Sequence, residues 1–138
     1  MQPVMSIAEI TAFLDNVFPQ VKGRFDIEDI SSMSATVHMN VTESDLRPGG
    51  TVSGPSMFAL ADVTFYIATL AMIGPKDLTV TTSCNINFMR KPDATDLWAK
   101  GRILKLGRSL SVGDVDIFSK SSDKPVAHAS VTYSIPPK

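Results

Sequence analysis

Leu46-Arg47-Pro48-Gly49-Gly50-Thr51-Val52-Ser53-Gly54-Pro55, followed by the apolar run from Ser56 to Gly74, is the stretch on which the fold turns. Its first part is turn chemistry: Gly49 and Gly50 are free to take positive φ, and Pro48 and Pro55 have φ fixed. Ser53 is suited to cap the orphan N–H groups of a starting helix, and Pro55 is tolerated in a first turn. The run then carries Met57, Phe58, Leu60, Val63, Phe65, Tyr66, Ile67, Leu70, Met72 and Ile73 until Gly74-Pro75 stops it, which predicts a helix over about 54–73. A helix that is apolar all round is either a membrane span or enclosed by protein. One carboxylate, Asp62, lies in its middle.

The run is long enough to span a bilayer, and no Lys or Arg occurs between Arg47 and Lys76. An Asp at a span centre costs about 2.5–3.5 kcal/mol, however. Thr64 and Thr69 interrupt the apolarity, and the flanking segments alternate like strands. These features favour a helix wrapped by a sheet over a membrane span.

Working outward, Ser6-Ile7-Ala8-Glu9 has capping-box spacing, and Ile7, Ile10, Leu14 and Val17 follow at helical intervals. A short helix is expected from about Ser6 to Phe18. Phe25 and Ile27 suggest a first strand, and Met33 to Thr42 alternates clearly. After Pro75 the chain reads as strands. Val80, Thr82, Cys84, Ile86 and Phe88 make one face and Thr79, Thr81, Ser83, Asn85 and Asn87 the other. Leu97 to Leu106 and Leu110 to Phe118 pair around Gly107-Arg108, and Val126 to Ile135 follows the turn Ser121-Ser122-Asp123-Lys124-Pro125. The order predicts an α+β fold: a curved antiparallel sheet around one long central helix, as a single domain over 1–138.

The 138 residues are 43% hydrophobic and 20% charged with net charge −1, a globular composition with no general pull on nucleic acid. One cysteine excludes an internal disulfide, and Cys84, His38 and His128 make no metal-ligand spacing. The first residues lack a basic region followed by an apolar core, so a cytoplasmic location is the default expectation.

The element order, and an Asp eight residues after a Gly at a helix start, resemble the hotdog-fold acyl-CoA thioesterases of the PaaI type. The resemblance spans about Phe25 to Ile135. The typical motif of that family is Asn-x-x-Gly-x-x-His-Gly-Gly before a helix bearing Asp or Glu. Here Gly50 and Gly54 match, Asp62 falls on the carboxylate, and Arg47, Ser53 and Pro55 replace the Asn, the His and the second Gly. The resemblance implies an acyl-CoA substrate, no cofactor, and a homo-oligomer that is at least a dimer, with a tetramer in view. It implies Asp62 as general base or nucleophile, the Gly54 amide as oxyanion donor, and Thr81 as the hydroxyl that helps hold the attacking water.

Residue chemistry agrees with that assignment. Thioester hydrolysis needs an activated water or a carboxylate nucleophile, and a donor for the oxyanion. The first N–H of a helix lies at the positive end of its dipole. Asp62 and Gly54 are roughly 12 Å apart along one helix, too far to serve one carbonyl, so chemistry requires a second protomer. Ser53 and Asn85 are candidates for contacts to substrate. Arg90, Lys91 and Arg108, with Lys105 nearby, are candidates for a basic rim that holds the phosphates of coenzyme A. His38, His128, Trp98 and the seven methionines read as structural. Two other readings stay open: a hotdog dehydratase or hydratase, which usually needs a His that this motif lacks, and a non-catalytic acyl-CoA-binding or regulatory module.

Overall fold

A computed structural model describes residues 1–120 and 122–137, so Ser121 of the expected turn lies outside the described residues. The elements run α1 (Ile7–Val17), β1 (Phe25–Ser31), β2 (Ser34–Met39), α2 (Gly54–Ile73), β3 (Val80–Phe88), β4 (Leu97–Leu106), β5 (Leu110–Ser119) and β6 (Ala127–Ser134). The strands form one antiparallel sheet in the order β1-β2-β4-β5-β6-β3. This is the α+β hotdog architecture that the resemblance implied.

Local chemistry sets the helix ends. At α1, the Ser6 hydroxyl accepts from the Glu9 amide (3.1 Å) while the Glu9 carboxylate accepts from the Ser6 amide (2.9 Å), a complete capping box. At α2, Ser53 caps the Ser56 N–H and Gly74, at φ 98°, closes the last turn by donating to Leu70. Gly49 and Gly50 take φ of 101° and 82° in the turn between them, where a side chain would be strained.

Helix α2 crosses the middle of the sheet. Leu60, Phe65, Ile67 and Leu70 are fully buried against inward residues such as Val37, Leu97, Val115 and Val131. At about 1.5–3 kcal/mol for each large side chain, this contact dominates the stability of the fold. Two glycines set the approach of the helix. A Cβ at Gly113 would overlap the Arg102 carbonyl oxygen and lie 2.6 Å from the Phe65 ring; one at Gly101 would lie 3.0 Å from the Thr64 methyl. The two threonine hydroxyls buried in the helix are paired: Thr64 donates to Leu60 O (2.7 Å), and Thr69 bonds Ser111 (3.0 Å), whereas the buried Thr79 hydroxyl just before β3 meets no partner among the described residues. The segment is apolar and long enough to cross a membrane, yet 78% of its most apolar window is buried within the fold.

Two strands differ from expectation. Strand β2 ends at Met39 rather than Thr42, because Thr42 leaves the sheet to cap the short turn Glu43–Asp45. In β3 a bulge between Thr81 and Ser83 breaks the alternation. Thr81 lies opposite the inward Tyr133, whereas Ser83 lies opposite Thr132 and Asn85 opposite Ser130. The expected neutral face is therefore split. Thr81 joins Cys84, Ile86 and Phe88 on the helix side, and Ser83, Asn85 and Asn87 face the other way.

Candidate active site

Positions 54, 58, 62 and 66 recur every four residues and form one stripe along α2. The stripe faces the β3 edge of the sheet. Most of the helix beyond its first turns is buried, but Phe58 is 39% exposed and Asp62 half-buried. The carboxylate thus sits where the wrapping by the sheet ends.

One oxygen of Asp62 is held twice. Oδ1 accepts from the Thr81 hydroxyl at 2.6 Å and from the Tyr133 hydroxyl at 2.8 Å. Tyr133 also lies 3.0 Å from the Asp62 carbonyl oxygen. The bulge in β3 places Thr81 beside Tyr133, and stacking on Tyr66 (ring centroids 5.7 Å apart) sets the plane of the phenol. Burial, and next the Asp62 charge, push the Tyr133 hydroxyl far above its usual range, so it stays a proton donor. The same two causes push the Cys84 thiol up, which keeps it protonated.

Asp62 opens on a cleft of about 450 Å³ lined by Val17, Phe18, Tyr66, Leu78 and Thr81 among others. A larger cavity, about 760 Å³, lies at the far end of α2 between Ile73, Lys76, Arg108 and Ile135. Its lining includes no carboxylate, so the smaller cleft is the candidate for chemistry.

Gly54 is the first residue of α2, and its N–H has no acceptor within the helix. The turn before it is locked by Asp45, a buried side chain. Its carboxylate accepts from Arg24 (2.9 Å), the Ser56 hydroxyl (2.8 Å) and the Thr42 amide (2.9 Å), and its carbonyl accepts from Ser53 N–H (2.7 Å). Burial raises the Asp45 carboxyl, but those hydrogen bonds and the Arg24 charge outweigh it and hold the carboxyl below its ordinary value. The Phe88 ring covers Gly54 on the β3 side, 3.2 Å from where a Cβ would stand.

The other expected site residues are dispersed. The Ser53 hydroxyl is engaged as a helix cap, so its role here is local. Asn85 lies on the sheet face opposite to Asp62, a consequence of the bulge, and does not join this cleft. The expected basic rim is not assembled within one chain. Arg90, which donates to Pro125 O (2.7 Å), and Lys91 follow the end of β3, whereas Arg108 lies in the β4–β5 turn by its start. Nine extended residues separate those ends by about 30 Å. His38 bridges Asp26 and Asp96 and His128 pairs with Asp114, both on the outer face. Among the described residues no cluster of His, Cys, Asp or Glu is placed to hold a metal.

Sequence reasoning missed Tyr133 and Asp45. A signal for Asp45 exists, since Thr42-Glu43-Ser44-Asp45 has capping spacing. Tyr133 offers only an inward strand position with a hydroxyl that needs a partner.

The thioesterase superfamily model matches residues 49–126, more than half of the chain. A Silicibacter protein assigned to the thioesterases is 50% identical over 99% of this chain and 96% of its own, with TM-score 0.91. A variant of the phenylacetic acid degradation protein PaaI from Thermus thermophilus is 25% identical, covers 86% and 99%, and gives 0.74. Zebrafish thioesterase superfamily member 2 is 20% identical over 96% and 99%, with TM-score 0.83, and shares the fold. Among curated proteins none matches. The wrapped helix, its carboxylate at the open edge and the matching family model agree, and the chain belongs to the thioesterase superfamily with a hotdog fold.

Proposed function

We propose that the protein hydrolyses an acyl-CoA thioester to a free acid and CoA, as an oligomer built on dimers with shared sites. The observation that carries this is the Asp62 carboxylate, pinned by Thr81 and Tyr133 in a cleft of mixed apolar and polar lining beside an open sheet edge. Asp62 takes a proton from water as its oxygen attacks the thioester carbonyl. The carbonyl oxygen becomes an oxyanion, the C–S bond breaks, and the sulfur leaves with the proton that Asp62 returns. Attack by the carboxylate itself, with water then cleaving the anhydride, ends at the same products.

The edge strand β3 supports the dimer. Among the described residues its outer backbone edge has no neighbouring strand, and Val80, Phe88 and Met89 are about half exposed (51%, 51% and 48%). Antiparallel pairing of two β3 strands about their midpoint, Cys84, sets Thr81 of one opposite Asn87 of the partner subunit. The partner's Phe88, and the Gly54 beneath it, then arrive beside Asp62. The same operation carries the partner's Arg90 and Lys91 toward Arg108, so a basic rim for CoA phosphates forms only between chains. Val17, Phe18, Tyr66 and Leu78 suit a medium-chain or aryl acyl group.

Release of free thiol from hexanoyl-CoA, phenylacetyl-CoA and palmitoyl-CoA tests the reading. The wild type should turn over at least one of the first two. Asp62→Asn should lower kcat about 10²- to 10⁴-fold with little change in KM. Tight CoA-ester binding with no hydrolysis would instead mark a non-catalytic module.

A further inference from the structure

The two oxygens of Asp62 are not equivalent. Oδ1 carries both side-chain hydrogen bonds, from Thr81 and Tyr133, while no described residue bonds Oδ2. The Asp62 side chain lines the cleft, so the oxygen left over is the one free to meet a water or a carbonyl. The Asp62 backbone carbonyl shares the single Tyr133 O–H (3.0 Å), so side chain and helix face the same phenol. That phenol is itself fixed by rings from the same helix, Phe65 at 5.9 Å and Tyr66 at 5.7 Å. We infer that Tyr133 is a positioning residue that, with Thr81, fixes the Asp62 carboxylate through Oδ1 and leaves Oδ2 as its reacting oxygen. The inference rests on Asp62 acting as base or nucleophile.

A hydrogen bond donated to a carboxylate favours its ionised form, so loss of the donor moves the acid limb of a rate profile upward. The other titratable groups around Asp62 are Tyr66 on its own helix, Cys84 on β3 and Asp77 in the loop before it. Asp77 accepts the Tyr66 hydroxyl through its backbone carbonyl (3.3 Å). None of them bonds Asp62, so a shift seen on changing Tyr133 reports the phenol.

The experiment measures kcat/KM against pH for full-length wild type, Asp62→Asn and Tyr133→Phe, with hexanoyl-CoA and phenylacetyl-CoA. Tyr133→Phe keeps the ring packing and should lower kcat about ten- to a hundredfold, leave KM nearly unchanged, and move the acid limb to higher pH. A fluorinated tyrosine incorporated at position 133 keeps the fold even where Phe disturbs it. As a stronger donor it should move the limb the opposite way. Opposite shifts from the two replacements support positioning, because a purely structural role moves neither. If Asp62→Asn is inactive yet both Tyr133 replacements keep the wild-type rate and limb, the assignment of Tyr133 is wrong. If Asp62→Asn stays active, the parent mechanism fails instead.

Discussion

The proposed shared site makes a quantitative prediction about mixed dimers. Asp62 and Gly54 lie eight residues apart on one helix, about 12 Å, so each proposed site needs one of them from each chain. Asp62→Asn removes the base and keeps the side-chain shape. The Gly54 amide is removed most cleanly by moving the proline back one position, as Gly54→Pro with Pro55→Ala. The local geometry permits this. Position 54 is the first helical residue, where proline is favoured, and Ser53 already has φ −74° and ψ 154°, as a residue before proline should. The added ring meets the Phe88 side chain, 3.2 Å from the Cβ position, and that half-exposed ring has room to move. Folding should survive, while loss of one oxyanion donor costs about 10²- to 10³-fold in kcat. Pro55→Ala alone is the control and should retain activity. A heterodimer of the two inactive chains has one site with both defects and one with neither. Purified by two different tags, it should recover about half of wild-type activity, and an equal unsorted mixture about one quarter. An isolated, folded heterodimer no more active than its parents would refute the shared site.

Gly113→Ala should destabilise the fold by about 3 kcal/mol, lowering Tm by about 10 °C, because neither the Arg102 carbonyl nor the buried Phe65 ring can move aside. Gly101→Ala, whose one tight contact is the Thr64 side-chain methyl at 3.0 Å, with Thr64 O and Val115 at an ordinary 3.7 Å, should cost less, and equal losses in thermal unfolding would contradict this account of the helix–sheet contact. Asp45 gives an acid signature. Its carboxyl lies below the ordinary range when folded, so its contribution is complete at neutral pH and lost as pH falls from about 4 downward. Denaturant titrations should show wild type losing more stability than Asp45→Asn between about pH 5 and pH 3; parallel curves would remove Asp45 from that role.

What could be read in advance was local. Ser53, Pro55 and Gly74 bound the central helix within the chain itself, and the Ser6–Glu9 box does the same for the first helix. The strands declare themselves by alternation for as long as alternation holds. It fails at Thr82, where an extra residue moves Thr81 onto the Asp62 side and leaves Asn85 on the other. Nothing in Thr79–Asn87 marks that bulge, since threonine, serine and asparagine suit either face. The partner that makes Thr81 useful, Tyr133, is 52 positions later and meets it only because β3 pairs with β6. Arg90 and Arg108 look like one cluster in the chain, but the pairing order sends them to opposite ends of a strand.

The same topology explains the uniform apolarity of the central helix. A surface helix alternates apolar and polar faces because one side meets water. Here β2, β4 and β5 cover one side, and the face they leave is the stripe Gly54, Phe58, Asp62, Tyr66 at the β3 edge, of which Phe58 is exposed and Asp62 half-buried while Tyr66 is buried. That stripe carries an exposed phenylalanine where a solvated face would carry Lys or Glu. Its one charge, Asp62, is bonded by two hydroxyls and has no cation beside it among the described residues. A face meant for water gains nothing from Phe58, and a face meant for the core gains nothing from Asp62. Both residues suit a surface that a second chain and an acyl group cover together, leaving one carboxylate oxygen in the gap between them.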